Sequence, residues 1–229
     1  KDFIEIDWIK KNDSRKPLLI LFHGLEGSSE SYYSILFANI ALLRDWKFAV
    51  VHFRGCSGKI NLAPRSYHAG DSNEVDWIIK KFNAHCIKFD CELFSIGVSL
   101  GGNALLKWAG EKSKKIKLPL TKLKAISAIA VPLDLVSSSY AINTGINKYL
   151  YANFFLKTMI KKAKQKWQQY PNLFDLQKTI NSKTITEFDE HYTAPVHKFE
   201  SVEEYLVKSS SINYINKIKV PTLIVNSQN

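Results

Sequence analysis

Gly97-Val98-Ser99-Leu100-Gly101 is the stretch on which the fold turns. An apolar run, Leu93-Phe94-Ser95-Ile96, leads into it, and Gly102-Asn103-Ala104-Leu105-Leu106-Lys107-Trp108 follows with a helical pattern. A G-x-S-x-G pentapeptide between a strand and a helix is the setting of a nucleophile elbow. The turn is so tight that the residues two before and two after the serine must lack side chains. The serine is then held in a strained conformation with its hydroxyl above the sheet. The backbone N–H of Leu100, at the start of the helix, is placed to donate to an oxyanion, helped by the helix dipole. Three fixed positions in five recur by chance; the flanking strand and helix give the pattern its weight.

Working outward, the same strand–helix rhythm repeats. Pro17-Leu18-Leu19-Ile20-Leu21-Phe22 and Phe48-Ala49-Val50-Val51-His52-Phe53 are continuous apolar runs, as expected of strands covered on both faces. A helix is predicted from about Ser29 to Arg44 between them. Phe3 to Ile9 reads as an early, partly exposed strand, and Asn12-Asp13-Ser14 as a turn. Asp71 with Glu74 three residues on is a capping box. It opens a helix with Val75, Ile78, Ile79 and Phe82 on one face. Leu100, Ala104 and Trp108 share a face of the helix after the serine. Leu123 to Val131 is another apolar strand, and Val220 to Asn226 is read as a buried one with Pro221 at its start. Such alternation implies an α/β architecture with a mostly parallel, doubly wound sheet. Sites in such sheets lie beyond the carboxyl ends of the strands, where His23, Arg54 and Ser99 should converge.

From about Leu135 to Asn216 the pattern is helical, aromatic and polar, with no buried strand. It reads as a cap inserted in a single domain spanning 1–229. Tyr149, Leu150, Phe154, Phe155, Met159 and Ile160 are interleaved there with Lys157, Lys161, Lys162, Lys164 and Lys166. A basic amphipathic helix can lie on an anionic membrane as a weak peripheral contact. The preferred reading sets the apolar face on an acyl pocket and the lysines in water.

The 229 residues are 45% hydrophobic, enough for a substantial core. The net charge of +11 comes from lysines spread along the chain, with no nucleic-acid-binding motif among them. Cys56, Cys86 and Cys91 are odd in number and not at metal-ligand spacing, so they read as free thiols in a reducing, cytoplasmic setting.

Several stretches together carry a family likeness. Phe22-His23-Gly24-Leu25-Glu26-Gly27-Ser28-Ser29 resembles the F-H-G-L-x-G-S-S loop of the YheT-like α/β-hydrolases, relatives of the plant EMB8-type proteins. His52 to Gly58, Pro64 to Gly70, Gly97 to Lys107, and Tyr192-Thr193-Ala194-Pro195-Val196-His197 match in order, as does Pro221-Thr222-Leu223-Ile224. The resemblance implies an α/β-hydrolase fold, a Ser-Asp-His triad and activity on carboxylic esters such as acylglycerols, phospholipid acyl chains or short esters. No metal or organic cofactor is implied. Ser99 matches the nucleophile, and Leu25 and Leu100 the residues whose N–H groups form the oxyanion hole. His23 then shapes its turn and is not the base.

The likeness also implies an acid after the strand that ends near Asn226, a further strand, a histidine and a last helix. The sequence has Asn226-Ser227-Gln228-Asn229 where the family has N-A-x-D-D-P, so the triad Asp and His are expected beyond Asn229. Asp134, after the strand that follows the serine's helix, is the internal alternative for the acid, and His197 for the base. His52 lies in a strand, His85 past a helix end, and His191 in the cap. Arg65, His68, Asp189 and His197 are read as loop-fixing groups, and Cys56 and Cys91 as thiols without a base. Two other functions stay open: acyl transfer to an alcohol at the same site, and non-catalytic binding of an acyl ligand or partner.

Overall fold

The computed structural model describes residues 1–9, 15–113, 121–145 and 152–227. The Asn12-Asp13-Ser14 turn, Tyr149, Leu150 and Gln228-Asn229 lie outside the described residues. Six described strands form one sheet: β1 (Ile6–Ile9), β2 (Leu18–Phe22), β3 (Lys47–Val51), β4 (Leu93–Val98), β5 (Leu123–Ile129) and β6 (Thr222–Val225). Their order is β1-β3-β2-β4-β5-β6, with β1 antiparallel to β3 and every other pair parallel. From β2 the chain steps outward to β3, then returns to β4 on the opposite side of β2. The crevice between β2 and β4 is thus where the winding reverses, the usual place for a site.

The alternation of side chains explains the double cover. Leu18, Ile20, Phe22, Ala49 and Val51 pack with α2 (Ser72–Lys88) and α3 (Leu100–Glu111). Leu21, Phe48, Val50 and Ile96 point the other way, onto Ala38 and Ala41 of α1 (Tyr32–Leu43). Both faces of the central strands are dry, which is why they read as unbroken apolar runs.

Five expectations need correction. α1 starts at Tyr32 and not near Ser29. The hydroxyl of Ser31 accepts the Ser28 N–H at 3.0 Å and that of Ser28 accepts the Glu30 N–H at 3.1 Å, holding these residues in a turn. The capping box is half formed. Asp71 accepts the Glu74 N–H at 3.1 Å, but the Glu74 carboxylate turns to the Arg54 guanidinium. His85 lies in the last turn of α2, its ring against Trp8 and Phe89, and His52 lies one residue beyond β3. Among the described residues β6 is exposed: β5 is its strand partner there, and Leu223 is 61% exposed.

Between β5 and β6 come α4 (Leu135–Asn143), α5 (Asn153–Gln169), α6 (Leu176–Ile180), α7 (Ile185–Phe188), a π-turn at Asp189–Thr193, α8 (Ala194–His197) and α9 (Val202–Ser209). Leu156, Met159, Ala163, Phe174, Phe188, Tyr192 and Val196 form a second apolar cluster in this segment. Lys157, Lys161 and Lys164 of α5 face water as expected. Lys162 and Lys166 do not: Lys162 is only partly accessible and Lys166 is fully buried. Cys56, Cys86 and Cys91 are buried free thiols. Among the described residues no helix is long and apolar enough to cross a membrane.

Candidate active site

Ser99 joins β4 to α3 at φ 52° and ψ −121°, a region that non-glycine residues avoid. Its N–H donates to Ile129 O at 2.9 Å, and its own carbonyl accepts the Asn103 N–H at 3.0 Å. The turn is gripped by backbone on both sides. A methyl group on Gly97 would lie 2.6 Å from Gly101 O and Gly102 Cα, and one on Gly101 would strike the carbonyls of Phe22 and His23. Both glycines flanking the serine are therefore steric necessities, as the sequence implied.

The β2–β4 register pairs Phe22 with Gly97, so the loop after β2 runs beside the serine. A methyl on Gly24 would lie 3.3 Å from Ser99 Cβ. The N–H groups on either side of Leu25 are bound. Gly24 N–H donates to Tyr33 Oη at 2.9 Å, Glu26 N–H to Tyr67 Oη at 3.0 Å, and Gly27 N–H to Gly24 O at 3.0 Å. Among the described residues, the N–H groups of Leu25 and of Leu100, the first residue of α3, have no acceptor. Two free donors beside one hydroxyl are what an oxyanion requires.

His23 is fixed at both nitrogens. Nδ1–H donates to Gly24 O at 2.7 Å and Nε2 accepts the Phe53 N–H at 3.0 Å. Its burial drives its pKa down to about 3. A ring with neither nitrogen free is not a base, and its role is to shape the turn. Arg54 reaches the wall of the site, but its guanidinium is spent on Asp2 and Glu74. Burial and the nearby Asp71 charge push Glu74 up to about 7 against the pull of Arg54.

Ser99 opens on a cavity of about 770 Å³ with a mainly apolar wall. Leu135, Ile142, Phe154, Phe155, Met159 and Ile185 supply much of that wall. Asn226 and Ser227, just after β6, line it too, so the chain enters the site at this end. The Asn226 side chain is clamped to Val131, accepting its N–H at 2.7 Å and donating to its carbonyl at 2.9 Å.

Among the described residues His68 is the histidine that lines this cavity. Its Nδ1 accepts the Gly70 N–H at 3.2 Å, and burial holds its pKa near 4. In the neutral ring Nε2 then carries the proton, and the acceptor nitrogen Nδ1 is already taken by the Gly70 N–H. His197 packs against it at a tilt of 52°, with ring centroids 4.4 Å apart, and burial with the neighbouring His68 drives its pKa to about 2. Its Nε2 is 3.4 Å from Ser66 Oγ, and it does not line the cavity. Asp134 caps α4 by accepting the Val136 N–H at 3.0 Å and likewise stays outside the cavity wall. His52 bonds Asp7 at 2.8 Å.

Arg65 pairs with Asp71, as a loop-fixing group should. Asp189 fixes its own turn by a hydrogen bond: it accepts the Thr193 hydroxyl at 2.6 Å. It also lines the cavity and has no ion-pair partner among the described residues. Burial raises its pKa from 3.8 to about 7, the Thr193 bond opposing. Between these values the folded protein keeps a proton that the unfolded chain has released, so stability falls as pH rises from about 4 to 7. Asp189→Asn should therefore unfold at higher temperature than wild type at pH 8, by on the order of 3 kcal/mol, and the advantage should fade by pH 4. Thermal unfolding at both pH values checks this; an advantage independent of pH contradicts it.

Cys56 and Cys91 each lie beside a lysine that the sequence did not reveal. Lys162 Nζ is 3.2 Å from Cys56 Sγ, and Lys47 Nζ is 3.3 Å from Cys91 Sγ. Burial still pushes the Cys56 thiol up to about 11, which leaves it protonated and unreactive. Tyr33, Tyr67 and Lys162 are the site residues that sequence reasoning passed over. Tyr67 lies inside a quoted motif and Tyr33 is the second residue of α1, but only the fold brings Tyr33 to Gly24 and Tyr67 to Glu26.

The sheet order, the crossover helices and the strained serine turn at the winding reversal define the class of α/β-hydrolases. No protein-family profile matches the chain. The YheT protein of Escherichia coli K12 is 30% identical over 231 residues, covering 99% of this chain and 66% of that protein. Bovine phospholipase ABHD3 is 24% identical over 98% of the chain, and the monoacylglycerol lipase of Saccharomyces cerevisiae 27% over 95%. The chain spans 54% and 48% of those two relatives. A crystal structure of a variant of LipA, the rice cell wall degrading esterase of Xanthomonas oryzae, superposes with a TM-score of 0.52 at 13% identity, over 93% of this chain and 66% of that one. That agreement is one of fold. The chain belongs to the YheT-like α/β-hydrolase family.

Proposed function

We propose that this chain carries the nucleophile, the oxyanion hole and the acyl cavity of a serine carboxylic-ester hydrolase acting on lipid-like esters. Ser99 sits in a nucleophile elbow and attacks the acyl carbonyl. The Leu25 and Leu100 N–H groups take the charge of the tetrahedral oxyanion, and water releases the acyl-enzyme. The helices between β5 and β6 act as a cap over the acyl chain. The base and its orienting acid come from sequence beyond Asn229. Two findings favour that source: none of the described histidines lines the cavity with a free acceptor nitrogen, and the chain beyond β6 runs along the cavity wall.

The observation that carries the reading is the conjunction at Ser99. A strained serine, two unbound N–H donors and a largely apolar cavity of about 770 Å³ meet at one point. The volume lies in the range of pockets that enclose a small organic ligand. Relatives named as a phospholipase and a monoacylglycerol lipase agree with an acyl substrate.

The test is a series of p-nitrophenyl esters with the full-length protein. With each buried methylene worth about 0.8 kcal/mol, kcat/KM should rise at least ~10-fold from acetyl to octanoyl. A preference for acetyl, or no turnover of any ester, overturns the acyl-cavity assignment.

A further inference from the structure

The lysines of α5 divide into two sets, and the buried set is attached to the site. Phe155, Met159, Lys162 and Lys166 recur at helical spacing on one face of α5. The first two line the acyl cavity and the last two grip loops of the sheet domain. Lys166 Nζ donates to Asn61 O at 2.7 Å and Ala63 O at 2.9 Å. Lys162 Nζ donates to Glu26 Oε1 at 2.9 Å.

Glu26 is the residue after Leu25, whose N–H is the first oxyanion donor of the proposed mechanism. It too is strained, at φ 54°, and its side chain is only 4% exposed. Three bonds hold it there. Its N–H donates to Tyr67 Oη at 3.0 Å, Tyr67 Oη donates back to Glu26 Oε1 at 2.7 Å, and Lys162 closes the set from the helix. Leu25 meanwhile packs its side chain against the apolar cluster of the helical segment. The loop that presents the oxyanion N–H is therefore fastened to α5 by an ion pair and to the helical segment by the packing of Leu25.

We infer that Lys162 is a positioning residue: through Glu26 it couples the seating of the α5 cap helix on the acyl chain to the aim of the Leu25 N–H at the oxyanion. The inference rests on the serine-hydrolase reading above. Substrate in the cavity bears on Phe155 and Met159, and the same rigid helix carries Lys162 two turns from Phe155. Withdrawal of α5 would remove the Lys162 bond and leave Glu26 to Tyr67 alone, loosening the left-handed turn and shifting the aim of the Leu25 N–H. Misplacing one preorganised donor costs the transition state and leaves ground-state acyl binding nearly intact.

The test uses the full-length protein with an octanoyl ester. Lys162→Met should lower kcat by roughly 10–100-fold while KM changes by less than about threefold. Lys162→Arg, which keeps the charge, should recover most of the loss, and Lys161→Met, on the exposed face, should match wild type. Glu26→Gln should fall as far as Lys162→Met, and the double variant no further, because both remove one coupling. If Lys162→Met does not fold, the comparison of Glu26→Gln with wild type decides. A folded Lys162→Met or Glu26→Gln with wild-type kcat overturns the inference, as does a loss confined to KM. The two readings separate in the wild-type control. Turnover there with unaltered variants defeats the coupling alone, whereas no turnover and no Ser99 acylation defeats the hydrolase reading and the coupling with it.

Discussion

Ser99→Ala in the full-length protein should abolish ester turnover, with a loss of up to roughly six orders of magnitude in kcat. Residual catalysis by an oxyanion hole without its nucleophile is small, because attack on the carbonyl then falls to unpositioned water. The fold should not suffer. The Ser99 backbone bonds to Ile129 and from Asn103 survive the substitution, and no hydrogen bond of its side chain is lost among the described residues. The unfolding temperature should stay within a few degrees of wild type, with alanine bearing the same strain at positive φ. Turnover retained by a folded Ser99→Ala protein would remove Ser99 from the chemistry.

Gly97→Ala should cost at least about 3 kcal/mol of stability, or prevent folding outright. The added methyl meets Gly101 O, Gly102 Cα and Gly102 N, each at 2.6 Å, and all three are backbone atoms of the turn itself. No rotamer change relieves the clash. The strand must move away from the helix, and β4 is central, paired to β2 on one side and β5 on the other. Gly58→Ala is the matched control. Its φ of +89° carries a conformational penalty of about 1 kcal/mol, but an added methyl meets nothing within 4 Å. Denaturant unfolding of the two variants should separate them by about 2 kcal/mol or more. Equal stabilities would contradict the steric account of the turn.

The parts of this molecule that sequence makes legible are those governed by local rules. The runs at Leu18–Phe22 and Leu93–Val98 are apolar because both faces of a central parallel strand are covered, and the serine turn needs glycine on either side whatever surrounds it. β6 has the same composition, but among the described residues only β5 lies against it, and composition does not report what covers a strand. Glu74 has the right spacing for a capping box, but Arg54, 20 residues away, competes for its carboxylate. Lys162 and Lys166 read as surface charges because lysine usually is one. Their spacing with Phe155 and Met159 puts them on the inner face, a signal present in the sequence and outweighed by residue type. Their partners Glu26, Asn61 and Ala63 are more than 100 residues distant, so which loops they hold follows only from the fold.

The central claim is that Ser99 is an activated nucleophile between two oxyanion donors. Fluorophosphonate labelling of the full-length protein, with mass-spectrometric mapping of the adduct, tests it most directly. A single adduct is expected on Ser99, absent from Ser99→Ala and suppressed by prior incubation with an excess of a long-chain ester. A folded full-length protein that takes no label, or takes it on another residue, would contradict the claim.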